Sequence, residues 1–204
     1  MSRGLRACAR RCAGALAIAI VASTLGACHP SGPKFAGSDI TGTSFGRELD
    51  LQDHNGQRRT LADFRGKVVV VFFGYTHCPD VCPTTLAELA EVMKRLGPEA
   101  ARVQVLFVTV DPERDTAELL RTYVPAFHPT FLGLRGDAAA TARALKEFKI
   151  LAEKRAGPTP ERYTVDHSAG TFIFDPQGRL RVFVSYGQGP EVFAHDIRAL
   201  LDAG

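Results

Sequence analysis

Two cysteines, Cys78 and Cys82, stand four residues apart in the segment FFGYTHCPDVCPTTL, and a proline follows each. Sulfurs this close in a chain serve a structural disulfide, a redox pair that exchanges with another disulfide, or a soft-metal site. A bridge across so short a loop stabilises little through chain entropy, so the two reactive chemistries carry more weight. Both need the thiolate. Pro83 suits the first position of a helix, where its missing N–H costs nothing. Cys82 is then expected at the helix mouth, where the dipole and unpaired N–H groups favour thiolate over thiol.

A residue far along the chain bears on the choice. His167 lies 85 residues beyond Cys82, in VDHSAGTFIF, just before an apolar run that reads as a strand. Two thiolates and one imidazole suit three-coordinate Cu(I), and the same set holds Cu(II). A closed structural zinc site asks for four ligands. Thioredoxin-like reductases use a cysteine spacing one residue shorter, and they set a cis-proline where His167 and Ser168 stand here. That difference favours a metal, one copper per chain, and leaves the redox pair as the alternative. A peroxidase motif is not met, because Phe72 stands where its proline belongs and Thr76 is only two residues before Cys78.

Two acids are placed to support such a site. Asp166 precedes His167 and either orients the imidazole or bonds loop N–H groups. Asp111 ends an apolar run at the expected sheet edge. It is a weak oxygen ligand, a neighbour of the metal, or simply the turn former of an Asp-Pro pair. Asp115, with Glu118 three residues on, reads as a helix N-cap. His77 is expected to point away from Cys78 and to tune its pKa at most. Tyr75 and Phe73 read as packing for the loop, and His54, His128 and His195 as surface residues.

The elements that must bring Cys78, Cys82 and His167 together are legible in outline. RELDLQDHNGQRRTL alternates about Asn55-Gly56, a hairpin signal. KVVVVFF and RVQVLFVTVD read as strands buried on both faces. TTLAELAEVMKRLG puts Leu86, Leu89, Ala90, Met93 and Leu96 at helical spacing and stops at Gly97. DTAELLRTYV and DAAATARALKEF read as helices with the short strand TFLGLRG between them. Residues 149–166 are polar and read as a loop or an inserted hairpin. GTFIFDPQGRLRVFVSYG reads as two strands about a turn, and GPEVFAHDIRALL as a closing helix. The sum is α/β, a thioredoxin-like fold with a mixed central sheet parallel in its middle, an N-terminal hairpin and an inserted loop or hairpin. Sites in such sheets lie beyond the carboxyl ends of the strands, where KVVVVFF runs into the cysteine loop.

The chain's first residues belong to another function. MSRGLRACARRC is basic, AGALAIAIVASTLGA is apolar, and LGAC ends the stretch at Cys28. This is the pattern of a secretory signal over residues 1–27, with a lipobox whose cysteine, Cys28, would carry lipid. An uncleaved membrane anchor and simple secretion are the alternatives. Residues 28–44, rich in Gly, Ser and Pro, read as a flexible tether, and residues 45–204 as the domain. The whole chain has 25 basic and 22 acidic residues, net +3, but four arginines fall in the signal. Without them the count is 21 against 22, net −1, so no nucleic-acid partner is implied. Of five cysteines, only Cys78 and Cys82 then remain as thiols.

Taken together, FFGYTHCPDVCPTTL, VTVDPERDT, VDHSAGTFIFDPQGRL and the C-terminal helix resemble the Sco/SenC family of copper-binding assembly proteins, in order and spacing, over residues 45–204. The resemblance implies copper ligands at Cys78, Cys82 and His167. It implies a metallochaperone, a carrier rather than an enzyme, that delivers copper to the binuclear copper centre of cytochrome c oxidase. The implied partners are the oxidase's copper-centre subunit and other periplasmic copper chaperones, met at the periplasmic side of a bacterial membrane. Family members are also described as thiol-disulfide reductants that prepare the oxidase's cysteines. Thr84 departs from the family, which commonly has an acidic residue there.

Overall fold

The computed structural model describes residues 32–159 and 162–204. The expected signal, residues 1–27, and the expected lipidation site, Cys28, lie outside the described residues. Ten strands are β1 (Ser38–Asp39), β2 (Asp50–Asp53), β3 (Arg58–Thr60), β4 (Val68–Gly74), β5 (Val103–Thr109), β6 (Leu132–Arg135), β7 (Ala152–Arg155), β8 (Thr164–His167), β9 (Gly170–Phe174) and β10 (Leu180–Ser185). Four helices are α1 (Val81–Leu96), α2 (Ala117–Tyr123), α3 (Ala138–Glu147) and α4 (Pro190–Asp202).

Every residue of β4 and β5 is buried, as continuous β-branched and aromatic runs require of strands covered on both faces. They pair in parallel, Val68 opposite Val103 through Gly74 opposite Thr109. The main sheet runs β1-β10-β9-β4-β5-β6-β2-β3. β4, β5 and β6 are parallel, and β9 joins β4 antiparallel. Because the chain leaves β4 and β5 at the same edge, the cysteine loop and the Asp-Pro-Glu-Arg-Asp-Thr run emerge side by side. β7 and β8 pair only with each other, so the expected insertion is a hairpin outside the main sheet.

Phe73, Phe148 and Phe172 interlock in the core, with ring centroids 5.0 to 6.3 Å apart. α1 turns Leu86, Leu89 and Met93 inward and packs beside α4. Gly97 closes α1 with φ +57°, a conformation side chains disfavour. Among the described residues no helix is long and apolar enough to cross a membrane.

Three expectations change. Residues 36–40, expected within the tether, are held to the domain. The Ala36 and Gly37 N–H groups donate to the Asp196 carboxylate, at 2.7 and 2.8 Å, and Ser38–Asp39 pairs with β10. Asp115 is not the cap of α2; Thr116 is, its hydroxyl accepting from the Leu119 N–H. His54 is buried rather than exposed. The β2–β3 turn folds against β6, so His54 Nδ1 accepts from the Gly133 N–H at 3.1 Å.

Two outcomes follow. A Cβ on Gly74 would stand 2.8 Å from the Phe107 ring and 2.9 Å from Cys82 Sγ. Gly74→Ala is expected to lower the unfolding free energy by about 2 kcal/mol through overpacking, read as a shifted urea midpoint at unchanged slope. Burial lowers the pKa of His54, so the unfolded chain takes up this proton first as pH falls. The contribution is therefore complete above about 6.5 and is lost as pH drops from there toward the folded value. Urea midpoints at pH 7.5 and 5.5 should differ less in His54→Gln than in the parent; equal differences would contradict it.

Candidate metal centre

α1 starts at Val81, with Asp80 before it, so Pro83 is its third residue, not its first. Cys82 is the second. The Cys82 N–H, one of the unpaired groups of the first turn, donates to Cys78 Sγ at 3.4 Å. The helix mouth therefore serves Cys78, which is half-buried. Cys82 sits deeper, with 0% exposure, beneath Gly74 and Phe107. Burial pushes its thiol pKa well up. The expectation that the helix end favours thiolate at both sulfurs fails at Cys82, because desolvation of the charged sulfur outweighs the nearby dipoles. No disulfide joins Cys78 and Cys82 in the structure.

His167 ends β8 and comes down onto Cys82, its Nε2 3.7 Å from Sγ. Its Nδ1 lies 3.1 Å from the Ser168 carbonyl. A carbonyl only accepts, so Nδ1 carries the hydrogen and the Nε2 lone pair faces the sulfur. Burial lowers the His167 pKa, which keeps the ring neutral near pH 7. Tyr75 packs edge-on to the imidazole, centroids 6.0 Å apart, and its hydroxyl accepts from the Val165 N–H at 3.2 Å.

Of the residues expected at the site, the structure brings Cys82 and His167 into contact and joins Cys78 to them through the Cys82 N–H. Among the described residues no three His, Cys, Asp or Glu side chains stand at metal-holding positions. The acids sit elsewhere. Asp166 is exposed and pairs with Arg155 at 2.7 Å; its carboxylate makes no hydrogen bond to the His167 ring and reaches it only through charge. Asp111 is fully buried, but Arg114 Nε at 2.5 Å and the Tyr163 hydroxyl at 2.7 Å occupy its oxygens. His77 turns to Thr76 and Asp115, at 3.0 and 3.9 Å, away from the sulfurs.

The residues that sequence reasoning missed hold the site rather than line it. Asp115, fully buried, accepts from the Thr109 hydroxyl at 2.6 Å, the Thr76 hydroxyl at 2.6 Å and the Thr76 N–H at 3.1 Å. It thereby ties the cysteine loop to the end of β5. Burial raises its pKa, against the pull of the two threonines. Arg114 and Tyr163 dock the β7–β8 hairpin. The run containing Asp111, Arg114 and Asp115 was visible as a motif; its distant partners Thr76 and Tyr163 were not. The Tyr123 hydroxyl is buried without a partner, and burial raises its pKa, with the cysteine sulfurs near enough to add to the effect. A cavity of about 510 Å³ between Thr41–Arg47 and Gly178–Arg181 includes no residue of the cysteine loop.

The profile described as SCO1/SenC matches residues 38–202. A mitochondrial SCO2 homolog of Mus musculus is 39% identical over 155 residues, 74% of this chain and 60% of the relative; the chain thus spans well under two thirds of that relative's length. Two solved structures are similar at this level. Bradyrhizobium japonicum ScoI with copper bound is 38% identical with a TM-score of 0.72, covering 78% of this chain and 100% of the other. Apo Sco1 from Thermus thermophilus is 39% identical with a TM-score of 0.73, covering 84% and 99%. The thioredoxin-like α/β fold, the Cys78–Cys82 pair at the mouth of α1 and the His167 imidazole turned onto it therefore sit in a chain that belongs to the SCO1/SenC family.

Proposed function

We propose that the chain is a copper carrier that supplies the binuclear copper centre of cytochrome c oxidase during assembly. It would work from the periplasmic face of a bacterial membrane, held there by lipid on Cys28. The observation that carries the reading is the 3.7 Å approach of His167 Nε2, lone pair forward, to the buried Cys82 sulfur. The copper-bound state of the Bradyrhizobium relative supports the choice of cargo.

The donor set fits copper. A buried thiol resists ionisation unless a cation replaces its proton, and the neutral imidazole already offers a nitrogen. Cys78, half-buried beside it, supplies the second sulfur. Two soft sulfurs and one nitrogen suit Cu(I), with Cu(II) also held. Loading releases the thiol protons, so apparent affinity rises with pH. Unloading has a natural route. A two-electron oxidation of Cys78 and Cys82 to a disulfide, with the electrons reducing a partner's disulfide to two thiols, removes two donors from the ion. The same pair would serve the alternative, a thiol-disulfide oxidoreductase acting on the oxidase's cysteines.

Metal analysis separates the two. Reduced protein is expected to take up one copper per chain and, with Cu(II), to show thiolate-to-copper charge transfer. His167→Ala should weaken retention by about 10- to 100-fold and shift that absorption. Disulfide reduction that is fast, metal-independent and indifferent to His167→Ala, in protein that retains no copper, would leave only the oxidoreductase. Mass spectrometry of the mature N-terminus is expected to show a lipidated Cys28.

A further inference from the structure

The histidine reaches Cys82 on an element that does not belong to the main sheet. β7 and β8 pair only with each other, and every residue of β7 is exposed. A lone two-stranded hairpin is marginal in water, so its docking contacts decide where His167 stands. Val165 is buried in the core, and His167 meets Tyr75 and Cys82. Among the described residues, the other polar side-chain contacts that tie the hairpin to the rest of the domain come from the Tyr75 hydroxyl and from one four-residue stretch, Asp111 to Arg114.

The Tyr163 hydroxyl donates to Asp111 Oδ1 at 2.7 Å, and the Arg114 Nη1 donates to the Tyr163 carbonyl at 2.9 Å. The Arg114 guanidinium also lies flat over the Tyr163 ring, 3.5 Å from its centroid, and 5.7 Å from the Tyr75 ring. Asp111 Oδ2 holds the same guanidinium through Nε. At the rim, Lys154 on β7 pairs with Glu113 at 2.6 Å, its ammonium 4.9 Å from the tyrosine ring centroid. The exposed Lys154–Glu113 pair contributes little. The Asp111–Arg114–Tyr163 group is different: Asp111 is fully buried, Arg114 is 16% exposed along its side chain, a stack and two hydrogen bonds reach Tyr163, and an ion pair joins its two partners. Tyr163 precedes His167 by four residues and stands immediately before the strand that ends in it.

We propose that Asp111, Arg114 and Tyr163 form a latch whose closure sets how much of the time His167 stands over Cys82. They are positioning residues, acting through the hairpin and not by touching copper. An open latch leaves two sulfurs and no imidazole, a weaker copper grip; a closed one completes the donor set. The hairpin is thereby the movable half of the centre, and α1 with its cysteines the fixed half. This rests on the reading of His167 as a copper ligand.

The test compares Arg114→Ala, Tyr163→Phe, His167→Ala and the Arg114→Ala/His167→Ala double variant. In reduced, copper-free protein, amide exchange should speed up across residues 152–167 in Arg114→Ala while β4 and β5 stay protected. The His167 ring resonances should move toward those of a solvent-exposed imidazole. Tyr163→Phe, which keeps the stack and loses one bond, should show a smaller change of the same kind. Cu(I) competition with a chromophoric chelator should then find Arg114→Ala weaker by about 10-fold, with no further loss when it is added to His167→Ala. Unchanged exchange and ring resonances in Arg114→Ala would overturn the latch, and so would faster exchange spread evenly over the whole sheet. A full copper loss that adds to that of His167→Ala would overturn it too. If His167→Ala alone leaves Cu(I) affinity intact, the ligand reading fails, and the copper-free exchange and resonance data still decide the latch.

Discussion

Two carboxylates buried just past the end of β5 hold the halves of the centre together. An ionised carboxylate out of water is costly unless charge and hydrogen bonds answer it. Asp115 is answered by Thr109 from its own strand and by Thr76 from the cysteine loop, and Asp111 by Arg114 and by Tyr163 from the hairpin. Each acid satisfies itself only if a different piece of chain is in place. The requirement to satisfy two buried carboxyl groups thus becomes a requirement that the cysteine loop and the histidine hairpin meet over the same strand ends. The parallel pairing of β4 with β5 makes this possible, because both strands deliver their following loops to one edge.

Within that frame the two sulfurs are not equivalent. Cys78 is half-buried and accepts from the Cys82 N–H in the first turn of α1. Cys82 is sealed beneath Gly74 and Phe107, where burial keeps its proton on and His167 Nε2 waits across from it. A soft cation would offset the cost of ionising the inner sulfur and meet the outer one at the half-open rim. The division suits exchange with a partner: the accessible sulfur is the one another protein's thiol or disulfide reaches first, and the buried one holds on last.

The sequence carried the frame and the ligand candidates, and it failed where burial decides. Strands β4 and β5, helix α1, the Asn55-Gly56 hairpin and the closing helix follow from apolar periodicity and turn residues, which are local signals. His54 read as a surface turn residue because nothing local shows that β2 packs beside β6. Asp115 read as a helix cap because the motif around it fits one. The actual cap is the next residue, and the carboxylate is spent on Thr76, 39 positions away. Cys82 was expected to ionise easily because a helix end is visible in sequence, while the depth at which Gly74 admits its sulfur is not. In each case the missing fact is a long-range contact, and long-range contacts are what fix protonation and hydrogen-bond partners inside a core.

The centre is built from two separated segments, although a short motif would supply three donors more cheaply. Ligands on one loop move together, so a site made of them is either formed or lost. Here the sulfurs sit on the first turn of α1 and the loop just before it, against the main core, and the imidazole rides on a hairpin attached by side chains. The donors can then separate without disturbing the sheet, at the cost of one stack, one ion pair and a few hydrogen bonds. If the chain is the carrier proposed, it must bind its ion firmly and also let it go. A rigid cage satisfies only the first demand, whereas a fixed pair of sulfurs facing a docked imidazole satisfies both.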